Sequence, residues 1–172
     1  MVFNYVIGLQ KVNKDKVNIN CREAIRAIIF QNNNILMVHN NKGDYKFPGG
    51  GVKKEETHEE ALKREVREET GHIISNVKDK IGVIIERNID KYDENSVFEM
   101  ISNYYLCEIS DNITTQKLEN YESELDFKPV WISLDAVIQT NEEILNNESI
   151  DKNSWVNRET KALKALEKCF NN

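Results

Sequence analysis

The segment at 47–73, FPGGGVKKEETHEEALKREVREETGHI, limits what the rest of the chain can be. Three consecutive glycines resist regular structure and a run of like charges repels itself, so the stretch is poor scaffold on its own. Thr57 followed three residues later by Glu60 fits a capping box, in which the hydroxyl accepts from an early backbone N–H and the carboxylate reaches back. Gly71 tolerates the left-handed conformation needed just past a helix end. The spacing therefore predicts a helix over 57–70 with both ends written into the sequence. Phe47, Pro48, Gly49, Gly50 and Gly51 join the end of a strand to it.

Alternating or β-branched runs at 3–9, 24–30, 35–39, 81–86, 100–109 and 130–132 predict six strands. The QNNN stretch between the second and third, and DKYDEN between the fourth and fifth, suggest hairpins and antiparallel pairing. Further helices are expected from after Ser133 to about 144 and over about 154–170, the last with Val156, Leu163, Leu166 and Phe170 at roughly helical spacing. This order predicts an α/β layered domain with a mixed sheet rather than a repeated βαβ wind. One unit over 1–172 is expected, with an N-terminal strand segment at 1–20 and the C-terminal helix packed on the sheet. The polar segment 111–126 reads as an exposed loop, and loops of that length are often functional.

A formal net charge of −6, with no long run among the 23 Lys and Arg residues, argues against a duplex nucleic-acid surface. Nucleotides remain compatible, because a divalent metal turns carboxylates from repellent groups into ligands that can hold a polyphosphate. With 40% hydrophobic and 30% charged residues, the 172-residue chain has the makeup of a folded soluble domain. Cys21, Cys107 and Cys169 are widely spaced and form no C-x-x-C pair, which points to a reducing compartment and to thiols used for packing. With no basic leader and no run of about 18 apolar residues, a cytoplasmic protein without a membrane partner is expected.

At about 100° per residue, with Glu65 as the origin, Glu69 falls near +40°, Glu68 near −60°, Ala61 near −40°, Leu62 near +60° and Val66 near +100°. Lys63, Arg64 and Arg67 fall on the opposite side, where solvent is expected. Glu59 with Lys63, and Glu60 with Arg64, fit exposed i,i+4 pairs. Glu65, Glu68 and Glu69 instead share the apolar face and repel one another, so something positive belongs among them. A divalent cation bound by hard carboxylate oxygens meets that need, and Mg²⁺ favours a few carboxylates completed by water and substrate phosphate. Neutralisation by Arg67 or a basic strand residue is the alternative.

Glycine lets backbone approach a ligand, and loop carbonyls can complete a hard-cation shell; a tight structural turn explains such a run as well. Together, Gly50, Glu56, Arg64, Glu65, Val66, Glu68, Glu69 and Gly71 resemble the signature of the Nudix hydrolase family. That signature runs glycine, five residues, glutamate, seven residues, then Arg-Glu-aliphatic-any-Glu-Glu-any-Gly-aliphatic. His72, in the final aliphatic slot, is the one departure and falls at a packing position. The Arg26-bearing strand and the PVWISLDAV stretch are also similar to the family. The resemblance implies an α/β/α sandwich with a mixed β-sheet, the motif forming a loop, a helix and a loop.

By that resemblance Glu68 and Glu69 are the main metal ligands, joined by the carbonyl of Gly49, and Glu65 ligates a metal or acts as general base. Glu56 and Arg64 form a structural pair, with a lesser route from Glu56 to a metal through water. The implied activity is Mg²⁺- or Mn²⁺-dependent hydrolysis of a nucleoside diphosphate linked to another group, by attack of water on phosphorus. Many members recruit one more acid from a distant loop; Glu119, Glu122, Glu124 and Asp126 are candidates, and Glu124 is the choice. Arg26 and Lys46, then Lys54, are candidates to neutralise substrate phosphates, and Trp131 is a core residue or a wall of a base pocket. His39 and His58 read as structural or solvated. The expected partner is a small nucleotide, with homodimerisation left open. No proline lies between Pro48 and Pro129, where one is associated with ADP-ribose hydrolysis, and Tyr92 is only loosely placed for dinucleoside polyphosphates. Modified nucleoside triphosphates are therefore slightly favoured. A non-catalytic nucleotide-binding or regulatory module on the same fold is the alternative, although no box glutamate is lost. A diphosphate isomerase would look for a cysteine in or beside the box, and there is none.

Overall fold

A computed structural model describes residues 1–13, 17–93 and 95–170, excepting the side chain of Phe170. Parts of the expected 1–20 segment and 90–95 hairpin, the apolar contact expected of Phe170 and the last two residues of the 1–172 unit lie outside the described residues. In chain order the elements are β1 (Phe3–Gly8), β2 (Asn18–Ile28), β3 (Phe30–Gln31), β4 (Asn34–His39), β5 (Tyr45–Lys46), α1 (His58–Thr70), β6 (His72–Ile89), β7 (Ser96–Ile113), α2 (Asn120–Glu124), β8 (Lys128–Ser133), α3 (Leu134–Asn146) and α4 (Val156–Phe170). One sheet has the order β1-β6-β7-β2, antiparallel at its centre and parallel at both edges, so it is mixed. In the other, β4 pairs antiparallel with β3, β5 and β8.

Strand alternation decides which helix covers which face, because successive side chains point to opposite sides. Ile25 and Ala27 of β2 and Leu36 of β4 pack with Ala61, Leu62 and Val66 of α1. Ile28, Ile35 and Met37 point the other way, into a core shared with Val137 and Ile138 of α3 and Ala162, Leu163 and Leu166 of α4. The result is three layers, α/β/α, with α1 alone on one side. None of the described helices is long and apolar enough to cross a membrane.

The local signals act as the sequence chemistry requires. Thr57 Oγ1 accepts from the Glu60 N–H at 3.3 Å while Glu60 Oε2 accepts from the Thr57 N–H at 2.8 Å, and Gly71 closes α1 at φ 75°. Asn32 and Asn33 both take positive φ, 49° and 64°, in the two-residue turn that joins β3 to β4. The fourth and fifth expected strands are longer than periodicity indicated, at 18 residues each. The first half of β6 is polar and bulged, held by its backbone ladder with β7 rather than by a buried face, so it carries little hydrophobic pattern. The 111–126 segment is not one loop: β7 runs into it as far as Ile113 and α2 forms within it. The expected Glu60–Arg64 pair gives way, because Glu60 is committed to the cap and Arg64 turns toward Glu56; Glu59 and Lys63 do pair, at 2.6 Å.

Candidate active site

The glycine loop lies along the free edge of β2. Backbone bonds from Ala27 N to Pro48 O at 2.8 Å, Ile25 N to Gly50 O at 3.0 Å and Val52 N to Glu23 O at 3.0 Å zip it in place. At Gly49, φ is +143° and a Cβ would sit 2.1 Å from the carbonyl oxygen of Ile25, so glycine is required twice over. A Cβ on Gly50 would meet the Glu65 carboxylate at 2.6 Å. The missing side chain there is what lets α1 bring Glu65 against the loop.

Glu69 is buried, and its Oε2 accepts from the Gly49 N–H at 2.9 Å while Oε1 receives the Lys46 ammonium. Burial pushes its carboxyl up to about 7, against the pull of Lys46 and the Gly49 amide. Glu65 is tethered by Arg64 Nη1 at 2.5 Å. Glu122, buried on α2, accepts from the Glu119 N–H at 2.8 Å and from the Tyr121 hydroxyl at 3.0 Å. Glu65, Glu69 and Glu122 each offer a carboxylate oxygen, and all three lie within 4.8 Å of one another. Hard oxygen donors converging from two elements, one fully desolvated, fit a divalent cation such as Mg²⁺ or Mn²⁺.

Of the other expected site residues, Glu56 and Arg64 form the pair that the resemblance implied, whereas Glu68, the Gly49 carbonyl and Glu124 fall differently. Glu68 lies outside this cluster, on the rim, with its Oε2 3.4 Å from Arg64 Nη1. The Gly49 carbonyl accepts from Arg26 Nη1 at 2.6 Å and Lys46 Nζ at 3.2 Å, so two cations occupy it. Arg64 is half-buried rather than solvated, and its fork grips Glu56 through Nε at 2.7 Å and Nη2 at 2.8 Å. That bidentate bond is the chief reason the Glu56 carboxyl falls to about 2. Glu124 is exposed, and only its backbone carbonyl is engaged, by Asn41 Nδ2 at 2.8 Å. The loop itself is stitched to the end of α1: Thr114 N to Gly71 O, Lys117 N to Glu68 O, and the Gln116 amide to the carbonyls of Glu69 and Phe127. The short helix that follows then turns Glu122 inward and Glu124 out.

Gly49, Gly50, Gly51, Glu65 and Glu122 border a cleft of about 430 Å³. Arg22, Arg26 and Met100 line it from the sheet, and Tyr121, Phe127 and Trp155 give it aromatic surface. Lys46 lines it too, 4.9 Å over the Phe127 ring, whereas Lys54 is exposed away from it and Lys53 takes its place. Trp131 packs edge-on against His72 at 5.7 Å, outside the cleft. The aromatic wall comes instead from Trp155, whose indole N–H donates to Asp44 Oδ1 at 2.7 Å. His58 bridges the Tyr105 hydroxyl at 2.6 Å and Glu23 at 3.0 Å, and His39 packs on Tyr45. Sequence reasoning missed Trp155, which lies just before α4, and Arg158 in its first turn; no local pattern singles out either.

The family model described as the NUDIX domain matches residues 21–153, well over half of the chain. The chain belongs to the Nudix hydrolase family. An ADP-ribose pyrophosphatase of Methanocaldococcus jannaschii is 39% identical over 82 residues, 45% of this chain and 48% of that protein, so the match spans about half the length of this relative. A NUDIX hydrolase from Nitrosomonas europaea has the same fold at 17% identity, TM-score 0.53, over 88% of this chain and 89% of the other. The ORF135 protein of E. coli does so at 17% identity, TM-score 0.51, over 90% and 92%.

Proposed function

We propose that this chain is a metal-dependent pyrophosphohydrolase that cleaves a nucleoside diphosphate linked to another group by attack of water on phosphorus. The supporting observation is the meeting of Glu65, Glu69 and Glu122 beside a cleft lined with arginine and aromatic side chains. Those three carboxylates would hold Mg²⁺ or Mn²⁺, which when bound polarises the phosphate and activates water. The chain's own residues do the rest. Arg22 and Arg26 neutralise and orient phosphate oxygens; Tyr121, Phe127 and Trp155 offer faces for a base. Lys46 and the Gly49 amide fix Glu69, and Arg64 fixes Glu65 against the loop. The relative named as an ADP-ribose pyrophosphatase supports ADP-ribose as the first substrate to try, ahead of modified nucleoside triphosphates.

Purified protein with Mg²⁺ is expected to hydrolyse at least one member of a panel of ADP-ribose, nucleoside triphosphates, dinucleoside polyphosphates and nucleotide sugars. A second reading, a nucleotide-binding module without hydrolysis, draws on the pairing of Lys46 with Glu69 and Arg64 with Glu65, which already balances both charges. Inactivity across the panel with nucleotide binding retained would establish that reading instead.

A further inference from the structure

Helix α4 carries a carboxylate that neither the glutamate cluster nor the core accounts for. Glu159 is fully buried, although Val156, Ala162, Leu163 and Leu166 already supply the apolar face of its helix. Its Oε1 accepts from Arg158 Nε at 2.9 Å and Nη2 at 2.5 Å and lies 3.9 Å from Arg26 Nε. Its Oε2 accepts from the backbone N–H of Phe47 at 3.2 Å. Arg26 in turn donates to the Gly49 carbonyl, and the Gly49 N–H donates to Glu69. Two routes thus run from one buried carboxylate to the glycine loop, one through a backbone amide and one through a guanidinium.

The charges around it show why a carboxylate is needed there. Arg26 and Arg158 are both buried, and their mutual repulsion adds to the desolvation that disfavours the charged form of Arg26. Glu86 answers Arg158 at 2.7 Å, and Glu159 is the acid that faces both arginines. Among the described residues Arg26 Nε has no hydrogen-bond partner, so its seat is set by the Glu159 charge on one side and the Gly49 carbonyl on the other. That charge and the Gly49 carbonyl together hold Arg26 over the loop.

The geometry points to Glu159 as a positioning residue for the hydrolysis proposed above: through Arg26 and the Phe47 amide it fixes the glycine loop at the spacing that brings Gly49 to Glu69. This rests on the hydrolase reading for its consequence, while the hold on the loop is measurable without turnover. Amide hydrogen exchange is followed at Phe47, Gly49 and Val66 in wild type, Glu159→Gln, Arg26→Gln and the double variant, in parallel with steady-state kinetics. In Glu159→Gln we expect Gly49 exchange to quicken about 10-fold or more with Val66 unchanged, and kcat to fall about 10-fold with KM changed less than about 3-fold. The double variant should exchange at Gly49 no faster than the faster single variant, since the route from Glu159 through Arg26 is already broken by either substitution. Unchanged Gly49 exchange in Glu159→Gln, additive effects in the double variant, or a lowered Tm with unaltered kcat would each overturn the positioning role. If Glu159→Gln does not fold, Glu159→Asp, which keeps the charge but shortens its reach to Arg26 and the Phe47 amide, carries the same exchange test. Inactive wild type on every substrate would overturn the hydrolase reading, whereas unchanged Gly49 exchange overturns the positioning role whatever wild type does.

Discussion

Replacing Glu56 by Gln should reveal how the strap across the glutamate helix is held. The bidentate Arg64 fork, with the Lys53 amide at 2.9 Å, lowers the Glu56 carboxyl from 4.5 to about 2. Taken at face value that difference is worth roughly 3 kcal/mol. The pair is partly exposed, 13% at Glu56 and 15% at Arg64, so water screens it in part and we expect about 1–2 kcal/mol. The sign follows from the direction: a carboxyl lowered in the folded state stabilises above its ordinary range, and that stability is lost as pH falls toward about 2. Urea denaturation in EDTA, which removes any metal contribution, should show Glu56→Gln less stable than wild type by about 1–2 kcal/mol at pH 7 and by under about 0.5 kcal/mol at pH 2.5. An equal cost at both pH values would refute the reasoning, because the deficit would then come from packing rather than charge.

Three further outcomes are expected. Gly49→Ala should abolish activity and lower stability by several kcal/mol, roughly the strain of positive φ plus a collision with the Ile25 carbonyl; a thermal melt matching wild type would contradict the loop geometry. Glu122→Gln should lower kcat by about 10²-fold and Glu124→Gln by less than about 2-fold, and kinetics with the reverse ranking would restore the distal residue as the functional acid. Cys107, whose thiol burial pushes up to about 12, should resist a thiol reagent in the native state while exposed Cys21 and Cys169 react; native labelling of all three would show that the α1 side of the sheet is open.

Features written in consecutive residues were legible in the sequence. The capping box and Gly71 delimited α1, and two asparagines able to take positive φ made the β3–β4 turn. Helical angle put Glu65, Glu68 and Glu69 together on the apolar face; Glu65 and Glu69 reach the cluster, whereas Glu68 lies outside it. Features set by tertiary packing were not legible in this way. Helical angle alone sent Arg64 to solvent; its pairing with Glu56 across the loop that folds over α1 was legible only through the family resemblance. Nothing in the run of acids between Glu119 and Asp126 tells which will turn inward; that depends on the Gln116 amide binding two carbonyls and on the short helix after it. Arg158 and Glu159 carry no local signal in the sequence, and only burial beneath the glycine loop makes them part of the site.

In the proposed function, Glu65, Glu69 and Glu122 together hold a divalent cation that hydrolysis requires. Mn²⁺ binding, followed by electron paramagnetic resonance on wild type, Glu69→Gln and Glu122→Gln, tests it most directly. We predict that each substitution weakens Mn²⁺ binding by about 10-fold or more and lowers turnover with it. Mn²⁺ bound with wild-type affinity by both variants would contradict the account.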